Sequence, residues 1–347
     1  MEITSKCKCV CVRECLRVES TTAFSNIGSS FHLAHRIHNG IEYGDMQLIA
    51  EVYDVMKNVL GMSNDEMADT FEEWNKSELE SYLIEITSSI LRKKDDATGK
   101  GHIVDYILDK TGQKGTGKWS VQEALDKGAC APTLAAALDM RILSGAKDER
   151  ENAAKMFPEP EIDKNLDKKQ VIEDLKAALY ASKVCSYAQG LSVIKTASSE
   201  YSWGVDLSDC ARLWKGGCII RAKVLDQIQS AFSKDPEPVN LLVDQSLSKE
   251  IQSRTSAWRR AVALCIMNGI ACPSLSGSLG YFDAYRRARL PANLTQAQRD
   301  FFGGHTFERT DQSGRFHLAW TDAHKDIGDA SQRTAGENLQ TRTRADP

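Results

Sequence analysis

The stretch KKQVIEDLKAALYASKVCSYAQGLSVIKTASSEYS, residues 168–202, decides the fold class, because it contains no proline and one glycine, Gly190. A run of that length without helix breakers predicts a very long helix, largely buried, closed by Trp203-Gly204. Helical signals continue on both sides of it. Upstream, residues 37–60 read as one helix and 64–94 as two. Ser63-Asn64-Asp65-Glu66 has capping character, and Ser77-Glu78-Leu79-Glu80 starts a run with Leu79, Leu83, Ile84, Ile86, Ile90 and Leu91 on an apolar face. Lys93-Lys94-Asp95-Asp96 ends that run in a polar loop, and Ile103 to Leu108 could be a strand or a helical turn. Residues 132–156 predict a helical pair that carries Arg141, and Asp206 to Phe232 gives two helices split by Gly216-Gly217. Ser246 to Asn268 and Ser274 to Arg287 follow as helices. Strand–helix alternation is absent from this pattern, so a parallel nucleotide-binding sheet cannot be built from it and an all-α fold is expected.

The chain has 347 residues, 41% hydrophobic and 27% charged, which is ordinary for a globular protein. Its formal net charge of -4 argues against nucleic acid as a partner, since a polyanion calls for clustered positive charge. The sequence has no apolar run of membrane-spanning length and no signal-peptide core, which predicts a cytoplasmic protein without a membrane partner. Of ten cysteines, Cys130, Cys185, Cys210, Cys218, Cys265 and Cys272 are scattered, mostly in apolar helical segments, where a thiol behaves as a small buried hydrophobe. Cys7, Cys9, Cys11 and Cys15 crowd the N-terminus without the second half of a zinc site, so no metal is expected. Residues 1–36 are expected to be an irregular, disordered or foreign leader, and residues 329–347 a disordered tail.

Two stretches carry candidate chemistry. In Ile37-His38-Asn39-Gly40-Ile41-Glu42-Tyr43-Gly44-Asp45-Met46, helical spacing of ~3.6 residues per turn places His35, His38 and Glu42 on one face, with Asn39 and Tyr43 beside them. The ordinary alternative is a satisfied helix surface. In Asp109-Lys110-Thr111-Gly112-Gln113-Lys114-Gly115-Thr116-Gly117-Lys118-Trp119, three glycines and three lysines form a flexible loop whose N–H groups and ammoniums suit an anion. Ser120 looks like the N-cap of a helix starting at Val121. The loop is not a P-loop, because Trp119 stands where a magnesium-binding Ser or Thr is required.

The stretch Ile107-Leu108 through Trp119 resembles the signature of 6-phosphogluconate dehydrogenase, the decarboxylating enzyme of the pentose phosphate pathway. The resemblance extends to Ile37–Met46, Tyr180-Ala181-Ser182-Lys183, Tyr187-Ala188-Gln189-Gly190, Trp214-Lys215-Gly216-Gly217-Cys218-Ile219-Ile220-Arg221-Ala222 and Leu290-Pro291-Ala292-Asn293-Leu294-Thr295-Gln296-Ala297-Gln298-Arg299-Asp300. It implies that residues 37–289 are the family's all-helical substrate and dimerisation domain and that residues 290–328 are a tail reaching a partner subunit, as their aromatic content also suggests, since Phe301, Phe302, Phe307, Phe316 and Trp320 cannot close a core alone.

The resemblance implies NADP-dependent oxidative decarboxylation of 6-phosphogluconate, with Glu42 as proton donor. His38 and Asn39 would hold the sugar acid, and Tyr43, Lys114, Thr116 and Arg141 the phosphate, because guanidinium forks bind a dianion's oxygens in pairs. Arg299 and His305 would reach the other subunit's site. Two departures stand out. His35 occupies the position of the family's base lysine, and no Gly-x-Gly-x-x-Gly turn follows a strand, so the family's N-terminal Rossmann domain is not recognised. An impaired enzyme is therefore expected. The alternative is a non-catalytic helical remnant that dimerises or binds a sugar phosphate.

Overall fold

The computed structural model describes residues 24–236 and 238–321. The chain divides between Phe282 and Asp283 into two compact units. The first contains α1 (Phe24–Asp54), which runs on into a π-helical turn (Val55–Val59), then α2 (Asn64–Trp74), α3 (Tyr82–Arg92), α4 (Thr116–Asp126), α5 (Pro132–Gly145) and α6 (Lys147–Met156). After these come α7 (Lys168–Glu200), α8 (Leu207–Lys215), α9 (Val224–Lys234), α10 (Gln245–Met267) and α11 (Pro273–Tyr285), whose last residues, from Asp283 on, belong to the second unit. The all-α expectation holds.

The long helix is central, as its composition predicts. α1 and α10 pack along α7, and every residue from Ala178 to Leu191 is buried. Glycines set the spacing of the first pair. A Cβ at Gly190 of α7 would come within 2.6 Å of Ile41 Cδ1, and one at Gly44 of α1 within 2.6 Å of Ser186 Oγ. The two helices approach closely because these positions carry no side chain. Between them Lys183 Nζ donates to Asp45 Oδ2 at 2.7 Å, with both side chains buried. Burial pushes the Asp45 carboxyl above its usual range, and the Lys183 ammonium opposes that push.

Buried polar groups then fix α5 and α11 against this frame. Gln189 Nε2 donates to Thr133 Oγ1 at 2.9 Å, and Thr133 Oγ1 shares a 2.7 Å bond with Ser278 Oγ. Glu51 of α1 accepts the backbone N–H groups of Ser274 and Leu275 at 2.9 and 2.8 Å, which satisfies the start of α11. Burial raises its pKa to about 7 against these bonds.

Three boundaries differ from the sequence expectations. α1 begins at Phe24 rather than Ile37, and no proline interrupts residues 24–36. Residues 24–36 are therefore helical and not an irregular leader; residues 1–23 and 329–347 lie outside the described residues. The helix after the polar turn starts at Tyr82, where Ser81 Oγ accepts from Ile84 N, while Ser77 Oγ is spent on the carbonyl of Trp74. Ser120 lies inside α4, with Oγ bonded to the carbonyls of Thr116 and Arg36. The cap position falls to Gly115 at φ +92°, a conformation glycine adopts without strain. The capping box at Ser63 and Glu66 is present as predicted.

The second unit holds α12 (Ala292–Gly303) and an antiparallel pair, β1 (Phe307–Glu308) and β2 (Arg315–Phe316). This segment does close a small cluster of its own. Trp320 lies 6.3 Å from Phe301 and 6.2 Å from Phe307, and Phe307 lies 6.3 Å from Phe316. No helix among the described residues is long and apolar enough to cross a membrane.

Candidate functional site

α1 presents His35, His38, Asn39, Glu42 and Tyr43 as its spacing predicts, held by the close approach of α7 and α4. The rings of His35 and His38 lie parallel, 3° apart with centroids 6.4 Å apart, and the edge of Trp214 meets His38 at 6.0 Å. His38 Nδ1 is 3.3 Å from Asn39 Oδ1. With that oxygen as acceptor, Nδ1 carries the proton and Nε2 keeps its lone pair. Nε2 is buried and bonds to no protein atom. Burial lowers the His38 pKa to about 4, so the ring is neutral near pH 7.

One turn on, Tyr43 gathers the groups expected at an anion. The Arg141 guanidinium stacks on its ring, with Cζ 3.4 Å from the centroid. Such a cation–π contact orients the fork, whose Nη2 also donates to Met46 Sδ at 3.7 Å. On Tyr43's ring edge lies Gly117, where a Cβ would stand 2.3 Å from Tyr43 Cε2. No side chain caps α4, whose first residues are Thr116, Gly117 and Lys118. A helix start of this kind offers N–H groups and positive dipole to an anion.

The loop before α4 is tethered at its root and free at its tip. Asp109 accepts from Lys147 at 2.6 Å and Arg150 at 3.0 Å, which holds its pKa down near about 2. Thr111 N donates to Ser144 Oγ at 3.0 Å, and that hydroxyl donates to the carbonyl of Arg141 at 2.8 Å. Lys110, Gly112, Gln113 and Lys114 are exposed. Tyr43, Arg141 and the first turn of α4 at Gly117 thus converge, and Lys114 sits on the exposed part of the loop. Arg299 and His305 belong to the second unit.

Sequence reasoning missed Trp214, which meets the edge of His38, and Gly117's role under Tyr43. The Trp214-Lys215-Gly216-Gly217 run was a signal for the first; nothing local signals the second, which depends on a contact across the fold. Among the described residues, no group of three His, Cys, Asp or Glu side chains is gathered to hold a metal. Cys185, Cys210, Cys265 and Cys272 are buried, whereas Cys130, in the segment before α5, is exposed.

Comparison with known proteins points the same way. The family described as 6-phosphogluconate dehydrogenase, C-terminal domain, matches residues 32–320. The Arabidopsis thaliana protein named 6-phosphogluconate dehydrogenase, decarboxylating 3, chloroplastic, is 56% identical over 301 residues, covering 85% of this chain and 62% of that relative. The decarboxylating enzyme of Synechococcus elongatus is 50% identical over 295 residues, covering 84% and 63%. A solved Plasmodium falciparum 6-phosphogluconate dehydrogenase, described in apo form and in complexes with its cofactor NADP+ and its substrate 6-phosphogluconate, is 45% identical with a TM-score of 0.81, covering 83% of this chain and 62% of that one. The chain thus spans about three fifths of the length of these relatives.

Proposed function

The chain belongs to the 6-phosphogluconate dehydrogenase family, and from that premise we propose that it binds 6-phosphogluconate and is an impaired form of the decarboxylating enzyme. The observation that carries the reading is the convergence of Tyr43, Arg141 and the uncapped start of α4. Arg141 and the α4 N–H groups would take the phosphate oxygens, with Thr116 and Lys114 closing over them. The neutral His38 would accept a substrate hydroxyl at Nε2, and Asn39 would hold the sugar acid beside it. Arg299 and His305 would add to the phosphate end of the other subunit's site.

Oxidation of a hydroxyl next to the carbon that bears the leaving carboxylate needs a base for the hydroxyl proton and an acid to protonate the carbon left behind. We assign Glu42 as that acid and His35 to the base position. A histidine there has a shorter reach than the lysine it replaces, so proton removal is slowed. NADP would supply the hydride acceptor. Among the described residues the strands are the two-residue pair of the second unit, and no parallel sheet with a glycine-rich turn is present to hold a dinucleotide.

We also propose a homodimer whose tail is exchanged between subunits, and a cytoplasmic location. Leu294, Phe301 and Phe302 support the dimer, since they stay exposed, Phe302 by 72%. The test of impairment is an NADP-reduction assay beside a plant relative. Loss of a positioned base predicts a rate lower by at least ~100-fold. An equal rate would overturn it.

A further inference from the structure

In the second unit one carboxylate, that of Asp300, ties Thr306, His317, Leu318 and Trp320 to α12. Asp300 is fully buried there. Its Oδ1 accepts from Thr306 N at 2.9 Å and from His317 Nδ1 at 2.9 Å. Its Oδ2 accepts from Trp320 Nε1 at 2.8 Å and Leu318 N at 3.2 Å. Its own carbonyl accepts from Gly304 N at 2.9 Å. Burial alone would raise the carboxyl pKa, but the bonds from His317, Trp320 and Leu318 outweigh it and hold the group ionised.

Gln296, one turn earlier on α12, completes the arrangement. Its Nε2 donates to the carbonyl of Thr306, and its Oε1 accepts from Arg299 Nη1 at 3.1 Å. The Thr306 residue is therefore gripped on both sides, by Asp300 at its N–H and by Gln296 at its C=O. It needs that grip, because its φ of +57° is one a threonine rarely adopts. Between Gly304 and Thr306 sits His305, whose ring folds back over the helix end. It meets Phe302 edge-on at 6.0 Å, and a Cβ at Gly303 would stand 2.9 Å from its Nε2. Arg299, on α12, is thus held by Gln296, and His305, just past the helix end, precedes a Thr306 that both Gln296 and Asp300 bond, two polar side chains that need touch no ligand.

We propose that Asp300 and Gln296 are positioning residues that hold Arg299 and His305 as a preformed arm for the phosphate of the sugar acid. The proposal rests on the reading above that Arg299 and His305 contact that phosphate. It follows from a general rule: a ligand-binding fork set in place before binding loses less freedom when the ligand arrives.

The test is a double-mutant cycle read by calorimetric titration of 6-phosphogluconate into the full chain. Asp300→Asn keeps the shape and removes the charge. Gln296→Ala, at a half-buried surface position, covers the case in which the first variant fails to fold. Each is expected to weaken binding by about tenfold, the scale of a lost hydrogen bond to a charged group. Added to the Arg299→Ala, His305→Ala pair, neither should weaken binding further, because a positioning residue has nothing left to position. Full additivity, or unchanged affinity in the single variants while the Arg299→Ala, His305→Ala pair binds weakly, would overturn the proposal. Unchanged affinity in that pair would instead remove the ligand assignment on which it rests.

Discussion

The face of α1 from Ile37 to Leu48 and the loop from Lys110 to Lys114 both depend on glycine, for opposite reasons. Gly40 and Gly44 lie where a methyl group would strike Ser120 Cβ at 2.7 Å and Ser186 Oγ at 2.6 Å. Around Gly112 a methyl group would meet nothing within 4 Å. The first region uses glycine to bring helices together, and the second uses it for backbone freedom. The difference divides the proposed site by function. His38 and Glu42, proposed for the reacting end of the substrate, ride on a helix packed into the core, while Lys114 rides on an exposed loop tip.

The largest effect is expected from breaking the buried side of this contrast. Lys183→Met would leave the buried Asp45 carboxyl unpaired between α1 and α7, and should cost about 3–5 kcal/mol in urea unfolding. The double variant with Asp45→Leu should recover most of that loss. A small loss in the single variant would show that α1 is not clamped as described.

Next comes pH, with opposite signs at two positions of α1, Glu51 near its C-terminal end and His38 at its middle. Glu51 has a folded pKa raised from 4.5 to about 7. Its contribution is present below about pH 4.5 and is lost as pH rises through about 7, by up to roughly 3 kcal/mol. His38 has a folded pKa lowered from 6.5 to about 4. Its contribution is present above about pH 6.5 and is lost as pH falls toward about 4, on a similar scale. Glu51→Gln should flatten the alkaline limb of a stability–pH profile and His38→Gln the acid limb; an unchanged limb in either variant would remove that group from the account.

A smaller effect sharpens the glycine contrast directly. Gly117→Ala puts a methyl group into the Tyr43 ring and should cost about 1–3 kcal/mol. Gly112→Ala, in open space, should stay within about 0.5 kcal/mol. Equal thermal midpoints for the two variants would contradict the distinction between packing and loop glycines.

Much of the fold was legible because long helices write their period into the sequence. The unbroken run at 168–202 placed the central helix, and the breaks at Gly216-Gly217 and Pro273 fell where helices end or begin. Starts were harder. Ser77 and Ser81 both have the chemistry of a cap, and the choice of Ser81 is made where its backbone pairs with Ala222, far along the chain. In the site, the His35, His38, Glu42 face followed from spacing alone, and the family resemblance supplied Arg141. What no local pattern could give was the stacking of Arg141 on Tyr43, the fit of Gly117 beneath it, and the bonds that Asp300 makes across twenty residues of the second unit, because each depends on a partner remote in sequence.

The central claim is that Tyr43, Arg141 and the start of α4 form a phosphate-end pocket within this chain. Calorimetric titration of 6-phosphogluconate tests it most directly, with gluconate, which lacks the phosphate, as the comparison ligand. The account predicts that Arg141→Ala weakens 6-phosphogluconate binding by about tenfold or more, the loss of a charged hydrogen-bonding fork, and leaves the weaker gluconate binding unchanged. Equal affinity of the unaltered chain and the Arg141→Ala variant for 6-phosphogluconate would contradict it.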